Sequence, residues 1–158
     1  MKLERIAKQL NMKVKIKRID KDLPLPVYET SGAVGCDLYA RVTTKIPPKE
    51  LGKIPGNVII ETPKGYMFMV ASRSSTPHKK GLLTPHGFGV GDQDFCGPED
   101  EYHIIVYNFT DSEIVVKKGE KIAQGIFVPV EVADWEEVES MEHNQTRGGF
   151  GSTGGHKK

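Results

Sequence analysis

The sequence predicts an all-β fold, and three observations support that prediction. Short runs rich in β-branched and aromatic residues recur along the chain. Proline, glycine, aspartate and asparagine separate these runs about every ten residues. Between Val14 and Val132 no stretch has the length and pattern of the helix that parallel βαβ units need. The spacing therefore indicates a sandwich, barrel or jelly roll, built as one domain from 158 residues.

The individual elements are justified in chain order. "KLERIAKQL" predicts a short amphipathic helix or a frayed N-terminus, because four apolar residues fall on one helical face: Leu3, Ile6, Ala7 and Leu10. "KVKIKRI" alternates, with Val14, Ile16 and Ile19 roughly on one face of a strand. The later strand candidates are "NVIIET", "GYMFMVAS", "EYHIIVYNF", "SEIVVKKG" and "KIAQGIFVPVEV".

Charge and cysteine content disfavour several classes of function. Charged residues make up 27% of the chain but the formal net charge is +1, so no global field recruits nucleic acid or a membrane. A small anionic ligand held by a few local groups stays open. No apolar run approaches the length of a membrane span, and the opening "MKLE" does not start a signal peptide. Cys36 and Cys96 stand apart without clustering, which disfavours a disulfide framework or a zinc site and predicts a reduced, cytoplasmic protein.

Two candidate site loops lie in the first half of the chain. "SGAVGCDLYA" puts Asp37 after a glycine-rich turn at the mouth of a strand, where the alternative is a turn-capping aspartate. "ASRSSTPHKKGL" offers Arg73 beside a pair of serines, and Ser74 or Ser75 is expected to cap a short helical turn. Free amides at such a turn suit an anion, although a helix cap without any ligand explains the same pattern.

Two further candidates come from the second half. "GVGDQDFCG" carries Asp92, Asp94 and Phe95 on a glycine-flanked loop, and its alternative is a plain hairpin turn. "GEKIAQGIF" places Gln124 inside an apolar strand. A buried amide must find hydrogen-bond partners, so Gln124 either binds something or faces outward.

The C-terminal "TRGGFGSTGG" fits the G-x-G-x-x-G pattern, but neither a preceding βαβ unit nor a following helix accompanies it. A P-loop also fails, because no lysine precedes Ser152 and Thr153. A guanidinium, an aromatic ring and two hydroxyls are what a mobile flap needs to close over a base and its phosphates: Arg147, Phe150, Ser152 and Thr153. The alternative is a disordered glycine-rich terminus.

Taken together, these stretches resemble the five ordered motifs of the trimeric dUTPase family: "GAVGCDLYA", "SRSSTPHKKG", "GVGDQDFCG", "KKGEKIAQGIF" and "RGGFGSTG". The resemblance runs from about Val14 to Gly154. It implies a distorted jelly-roll or β-barrel domain over 1–145, with 1–12 as an N-terminal extension and 146–158 as a mobile arm. It also implies a homotrimer, in which every active site takes parts from all three subunits and the arm closes over the nucleotide.

The implied reaction is hydrolysis of dUTP to dUMP and pyrophosphate, by attack of water on the α-phosphorus with Mg²⁺ bound. That reaction keeps uracil out of DNA and supplies dUMP for dTMP synthesis. By resemblance, Asp92 activates the water and binds the sugar 3′-hydroxyl, and Asp37 approaches the metal through water. Arg73, Ser74, Ser75 and Gln124 would stabilise charge on the phosphates.

The resemblance also implies how the nucleoside is recognised. Phe95 stands where most members carry tyrosine, and its ring would exclude a ribose 2′-hydroxyl. The hairpin amides from Gly87 to Val90 would read uracil, beside His86 where members carry asparagine. In the arm, Phe150 would stack on the base, while three residues would hold the outer phosphates: Arg147, Ser152 and Thr153.

The third motif departs from the family pattern in two further ways. Gly91 stands where members carry isoleucine, and we expect it to give the backbone before Asp92 extra freedom. "GPEDEYH" adds about three residues after the motif, with Glu99, Asp100 and Glu101 as extra acids on a decorated turn.

Competing functions remain open at the sequence level. The sister family, dCTP deaminase, is disfavoured because its catalytic glutamate position is occupied by Ile105, which cannot carry protons. Because of His86, the enzymatic alternative is a dUTPase-fold pyrophosphatase that acts on dCTP or another deoxynucleotide. From another class, the alternatives are a nucleotide-switched regulatory binding protein and an unspecialised β-sandwich with a floppy tail.

Overall fold

A computed structural model describes residues 12–143, 145–146 and 148, and it confirms the all-β prediction. The described residues form eleven strands and one short helix. The strands are β1 Ile16–Arg18, β2 Cys36–Tyr39, β3 Thr44–Ile46, β4 Leu51–Pro55, β5 Val58–Ile60, β6 Tyr66–Ser72, β7 Leu82–Leu83, β8 Phe88–Gly91, β9 His103–Asn108, β10 Ile114–Val116 and β11 Lys121–Pro129. The helix, α1, is Thr76–Lys80. The predicted N-terminal helix and the arm side chains Arg147, Phe150, Ser152 and Thr153 lie outside the described residues.

Four antiparallel sheets organise these strands, in the orders β2-β11-β6-β8, β4-β9-β7, β1-β5 and β10-β3. Strand β11 is the centre of the first sheet, because it pairs with β6 from Ala123 to Pro129 and with β2 on its other edge. Its register places Gln124 opposite Asp37 of β2 and Ala71 of β6. Residues far apart in sequence therefore meet at one end of this sheet.

The core lies between the sheets and follows the period of two that strands impose. In β9 every second residue is buried, and so are the alternate residues Phe68 and Val70 of β6. Phe68 is fully buried, with its ring centroid 5.1 Å from that of Tyr102 and 5.0 Å from that of Phe127. Burial of one such apolar side chain contributes about 1.5–3 kcal/mol to folding.

The first strand differs from its sequence pattern. Val14 packs against the core, but Ile16 and Ile19 stay 37% and 41% exposed. Strand β1 spans three residues and pairs with β5 in a two-stranded sheet. An edge position of this kind leaves one side of the strand without neighbours from its own chain, so alternation alone did not predict burial.

Helix α1 is the short turn expected after "SRSS". Ser75 occupies the N-cap position, but its side chain makes no capping hydrogen bond. Pro77 stands in the first turn, where a missing amide hydrogen is tolerated. Gly81 ends the helix at φ 68°, and its amide donates to the Pro77 carbonyl. In the part of the chain that the structure describes, no helix is long and apolar enough to cross a membrane.

Candidate active site

Two clefts gather the predicted site residues that the structure describes. The anion cleft, as we name it, has a volume of about 220 Å³ and is lined by Asp37, Arg73, Ser74, Ser75 and Gln124 together with Glu29, Ala33 and Gly35. Three sequence motifs thus meet there, brought together by the pairing of β2, β11 and β6. Polar and charged groups dominate the lining, which suits a phosphate chain better than an aromatic base.

Asp37 is the most buried charged group of the anion cleft, with 6% of its surface exposed. Its Oδ1 lies 2.9 Å from Arg73 Nε, and its Oδ2 lies 3.0 Å from Lys121 Nζ. The Lys121 ammonium is therefore the partner of the buried Oδ2. A buried carboxylate needs such compensation, and the two cations supply it.

Lys121, the second cation beside Asp37, was not among the site residues predicted from the sequence. Its ammonium also pairs with Glu29. The hydrogen bond with Glu29, and to a smaller extent the one with Asp37, raises the pKa of Lys121. The residue stands three positions before Gln124 in the same motif. The pairing of β11 with β2 brings Lys121 close to Asp37. That pairing contains a bulge between Lys121 and Ala123, so the register of the two strands cannot be read from the sequence.

Gln124 is anchored rather than outward-facing. Its amide nitrogen donates to the Ser72 carbonyl at 3.0 Å, across the β11–β6 pair. Its Oε1 lies 2.6 Å from the point where a Cβ at position 35 would stand. Position 35 therefore requires glycine, because the Gln124 amide fills the space that a larger side chain would need.

The second cleft, which we name the nucleoside cleft, has a volume of about 320 Å³. It lies beside the paired strands β6 and β8, and its lining includes the predicted residues His86, Val90, Asp92 and Phe95. Gly87 turns the chain into β8 at φ 78°, a conformation that favours glycine. Val90 is 59% exposed on β8.

Position 91 requires glycine for a different reason from the one expected from the sequence. Its φ is not in the left-handed region, so backbone freedom is not what this position requires. A Cβ there would lie 2.2 Å from the Tyr102 hydroxyl oxygen and 2.8 Å from the Phe68 carbonyl oxygen. The requirement is space for close packing.

The insert after the third motif is an ordered turn, as expected, but one of its acids has a structural role that was not foreseen. Asp100 accepts a hydrogen bond from the Gly97 amide at 2.6 Å. Glu101 is 7% exposed and forms a two-point ion pair with Arg41 at 2.8 and 2.9 Å. It also accepts from the Asn57 amide at 2.9 Å.

These contacts determine the ionisation of Glu101. Burial raises the pKa of the carboxyl, but the hydrogen bonds from Arg41 and from the Asn57 amide oppose it, and the net pKa is lowered. Glu101 is thus a buried, ionised anchor that fixes the start of β9. Glu99, Asp100 and Glu101 are consecutive, and the sequence alone does not indicate which of the three side chains is buried.

The two clefts have no lining residue in common. One chain therefore offers an anion-binding surface and a nucleoside-type surface as separate features. Asp92 belongs to the second and Arg73 to the first, although the reaction that the motifs imply requires both at one phosphorus.

Comparison with known proteins agrees with the motif pattern. The family model described as dUTPase matches residues 21–154. The deoxyuridine 5'-triphosphate nucleotidohydrolase of Dictyoglomus turgidum is 37% identical over 150 residues, which cover 90% of this chain and 99% of the relative. The enzyme of the same name from Lactococcus lactis subsp. lactis is 38% identical over 133 residues, or 82% of this chain and 87% of the relative.

Solved structures agree as well. The dUTPase from Streptococcus mutans superposes with a TM-score of 0.70 at 31% identity, covering 76% of this chain and 98% of that one. A Staphylococcus bacteriophage 80alpha dUTPase solved with dUPNHPP shares the fold, with a TM-score of 0.80 at 23% identity over 90% of this chain and 98% of the phage chain. Fold and motifs together define a nucleotide hydrolase of the jelly-roll type. The chain belongs to the dUTPase family.

Proposed function

We propose that this protein hydrolyses dUTP to dUMP and pyrophosphate. The observation that carries the proposal is the sorting of the predicted residues into an anion cleft and a nucleoside cleft, in a chain whose relatives are named deoxyuridine 5'-triphosphate nucleotidohydrolases. The activity would keep uracil out of DNA and supply dUMP. We place it in the cytoplasm, where the free thiols of Cys36 and Cys96 would stay reduced.

Arg73 is preorganised for phosphate binding. Asp37 engages its Nε at 2.9 Å, which fixes the plane of the guanidinium. The terminal nitrogens keep donors for phosphate oxygens, since arginine offers five N–H groups in a rigid fork. Ser74, which is exposed, and Gln124 line the same cleft and add neutral donors. Electrostatic stabilisation of this kind dominates phosphoryl-transfer catalysis.

Asp92 would act as the general base. Its side chain is exposed at the nucleoside cleft, so it can reach a water molecule and a sugar hydroxyl. Positioned base catalysis contributes about 10²–10⁴-fold to a rate. Phe95 stands beside it, and its ring packs edge-on against Tyr102 with centroids 5.3 Å apart. A ring held in this way would block the space for a ribose 2′-hydroxyl.

The anion cleft fits Mg²⁺. Asp37 and Glu29 both line the cleft and bring hard carboxylate oxygens to it, and Lys121 pairs with each of them. Within residues 12–143, 145–146 and 148, no three His, Cys, Asp or Glu side chains converge, which favours an ion held chiefly by phosphates and water. When bound, the ion would neutralise phosphate charge. Asp37 and Glu29 would hold its waters in place.

The family resemblance implies a homotrimer, and the separate clefts suit sites that are shared between copies. Because the anion and nucleoside clefts have no lining residue in common, a second copy can supply the half that one chain does not bring to the nucleotide. The exposed apolar residues Phe88 and Val90 on β8 suit burial against another copy. The arm roles of Arg147, Phe150, Ser152 and Thr153 stay predictions of the resemblance.

A second candidate is pyrophosphate release from dCTP, and His86 favours it. The imidazole lines the nucleoside cleft and can donate or accept, so it can read either pyrimidine edge. Deamination is disfavoured, because Ile105 lines the same cleft where the deaminase family places its glutamate.

One nucleotide panel tests the proposal. The protein is incubated with Mg²⁺ and each deoxynucleoside triphosphate, and released pyrophosphate is measured. We expect turnover of dUTP and little of dCTP. Asp92→Asn should keep nucleotide affinity within about threefold and lose at least about 100-fold in kcat. Turnover of dCTP alone would support the second candidate, and full activity of Asp92→Asn would remove the base assignment.

A further inference from the structure

We propose that Tyr102 is a positioning residue for Asp92 and Phe95, acting through the space that Gly91 leaves. The inference rests on the proposed function and names a residue that the motif comparison does not assign. Tyr102 is 6% exposed and follows the buried anchor Glu101. Its ring lies edge-on to Phe68 and to Phe95, with centroids 5.1 and 5.3 Å away. It therefore joins the core to the loop that carries the candidate base.

The hydroxyl end of Tyr102 meets the backbone directly before Asp92. A Cβ at position 91 would lie 2.2 Å from the Tyr102 Oη and 2.7 Å from its Cε1, distances that real Cβ atoms do not show. The ring thus fills the volume that any other residue at 91 would need. Gly91 and Tyr102 form one packed unit, and its position sets where β8 ends and the Asp92 loop begins.

The backbone of Tyr102 is fixed from the opposite side. Its amide donates to the Val58 carbonyl at 2.9 Å, and its carbonyl accepts from the Gly56 amide at 2.8 Å. The preceding Glu101 is held by Arg41. A residue secured at its backbone and packed along its ring can transmit the position of the β4–β5 turn to Asp92.

Stability alone does not explain a tyrosine here. The Tyr102 hydroxyl is buried and interacts with the buried Thr62 hydroxyl, although the pair does not reach full hydrogen-bond geometry. Phenylalanine would lose only this weak contact and keep the ring. What the hydroxyl adds is an atom packed against Gly91.

Tyr102→Phe removes that atom alone. We expect the melting temperature to change little, kcat for dUTP to fall about tenfold, and KM to change less than threefold, because a small displacement of a catalytic group mainly lowers the chemical rate. Tyr107→Phe, in the strand β9 that follows Tyr102, is the control and should leave kcat unchanged. A purely structural role predicts no loss of kcat in a protein that is as stable as wild type, so unchanged kcat in Tyr102→Phe would overturn the proposal.

The partner half of the test is Gly91→Ala. This change should lower both the melting temperature and kcat. Tyr102→Leu added to it should recover part of the melting temperature, since the smaller side chain vacates the space beside the new methyl group, while the Phe68 carbonyl 2.8 Å away keeps the recovery incomplete. Additive effects of the two substitutions would overturn the shared-space argument. Recovery of the melting temperature is independent of catalysis, so it tests the packing even if the nucleotide panel rejects dUTP. Failure of wild type on dUTP would count against the proposed function only.

Discussion

At the residue scale, the anion cleft depends on the absence of a Cβ atom at Gly35, where such an atom would displace the Gln124 side chain. A methyl group at Gly35 would meet the Oε1 of Gln124, the far end of a flexible side chain. The amide can swing away at little energetic expense, but it then loses the Ser72 carbonyl that holds it in the cleft. Site geometry is therefore more sensitive to this glycine than fold stability is.

Gly35→Ala tests this dependence. We expect the free energy of unfolding to change by less than about 1 kcal/mol and kcat/KM for dUTP to fall about tenfold. The measurement is steady-state kinetics beside a thermal melt, and Gln124→Ala is the reference. If Gly35 acts through Gln124, the double variant should be no worse than Gln124→Ala alone. An additive loss would show that Gly35 acts by another route.

At the element scale, Glu101 fixes the start of β9 through two contacts: an ion pair with Arg41 after β2, and a hydrogen bond from the Asn57 amide in the turn between β4 and β5. The folded protein lowers the pKa of Glu101 below its ordinary 4.5, because hydrogen bonds from Arg41 and Asn57 outweigh the opposing effect of burial. The unfolded chain binds the proton more readily. Stability from Glu101 is therefore fully present above about pH 4.5 and is lost as pH falls through the lower folded value.

Glu101→Gln should remove that pH dependence. We expect a loss of about 2 kcal/mol at pH 7, below the usual range for a fully buried pair because Arg41 is partly exposed. Between pH 5 and 3 the wild type should lose stability more steeply than the variant. Urea unfolding across this range measures both slopes. Parallel slopes would contradict the assignment of Glu101 as an ionised anchor.

The strands and the site residues show which features of this fold can be predicted from the sequence and which cannot. The strands from "NVIIET" onward were predictable, because alternation and turn residues are local signals that burial enforces. Asp37, Arg73 and Gln124 were predictable as a set by their motif order. Lys121 was not, since its partner depends on a bulged register across 84 positions. Tyr102 was not either, because only the packed structure shows that its hydroxyl fills the space beside Gly91.

At the scale of the whole molecule, the proposed trimer would bring the two clefts of neighbouring copies together as one active site. Within a chain, Asp92 and Arg73 line different cavities. Closed point-group symmetry repeats any contact between copies, so one interface that apposes the two clefts would build every site in the oligomer at once. A trimer would then carry three equivalent sites. Loss of the oligomer should abolish turnover even where subunits stay folded.

Subunit complementation tests this claim most directly. Asp92→Asn damages the nucleoside cleft, and Arg73→Gln damages the anion cleft while leaving an amide to serve Asp37. Each variant expressed alone should be inactive. Co-expressed in equal amounts and purified as mixed trimers, they should regain about a third of wild-type turnover, because one of the three shared sites in each mixed trimer would combine two intact halves. Mixed oligomers no more active than the separate variants would contradict the account, since sites contained within one chain cannot be restored by mixing.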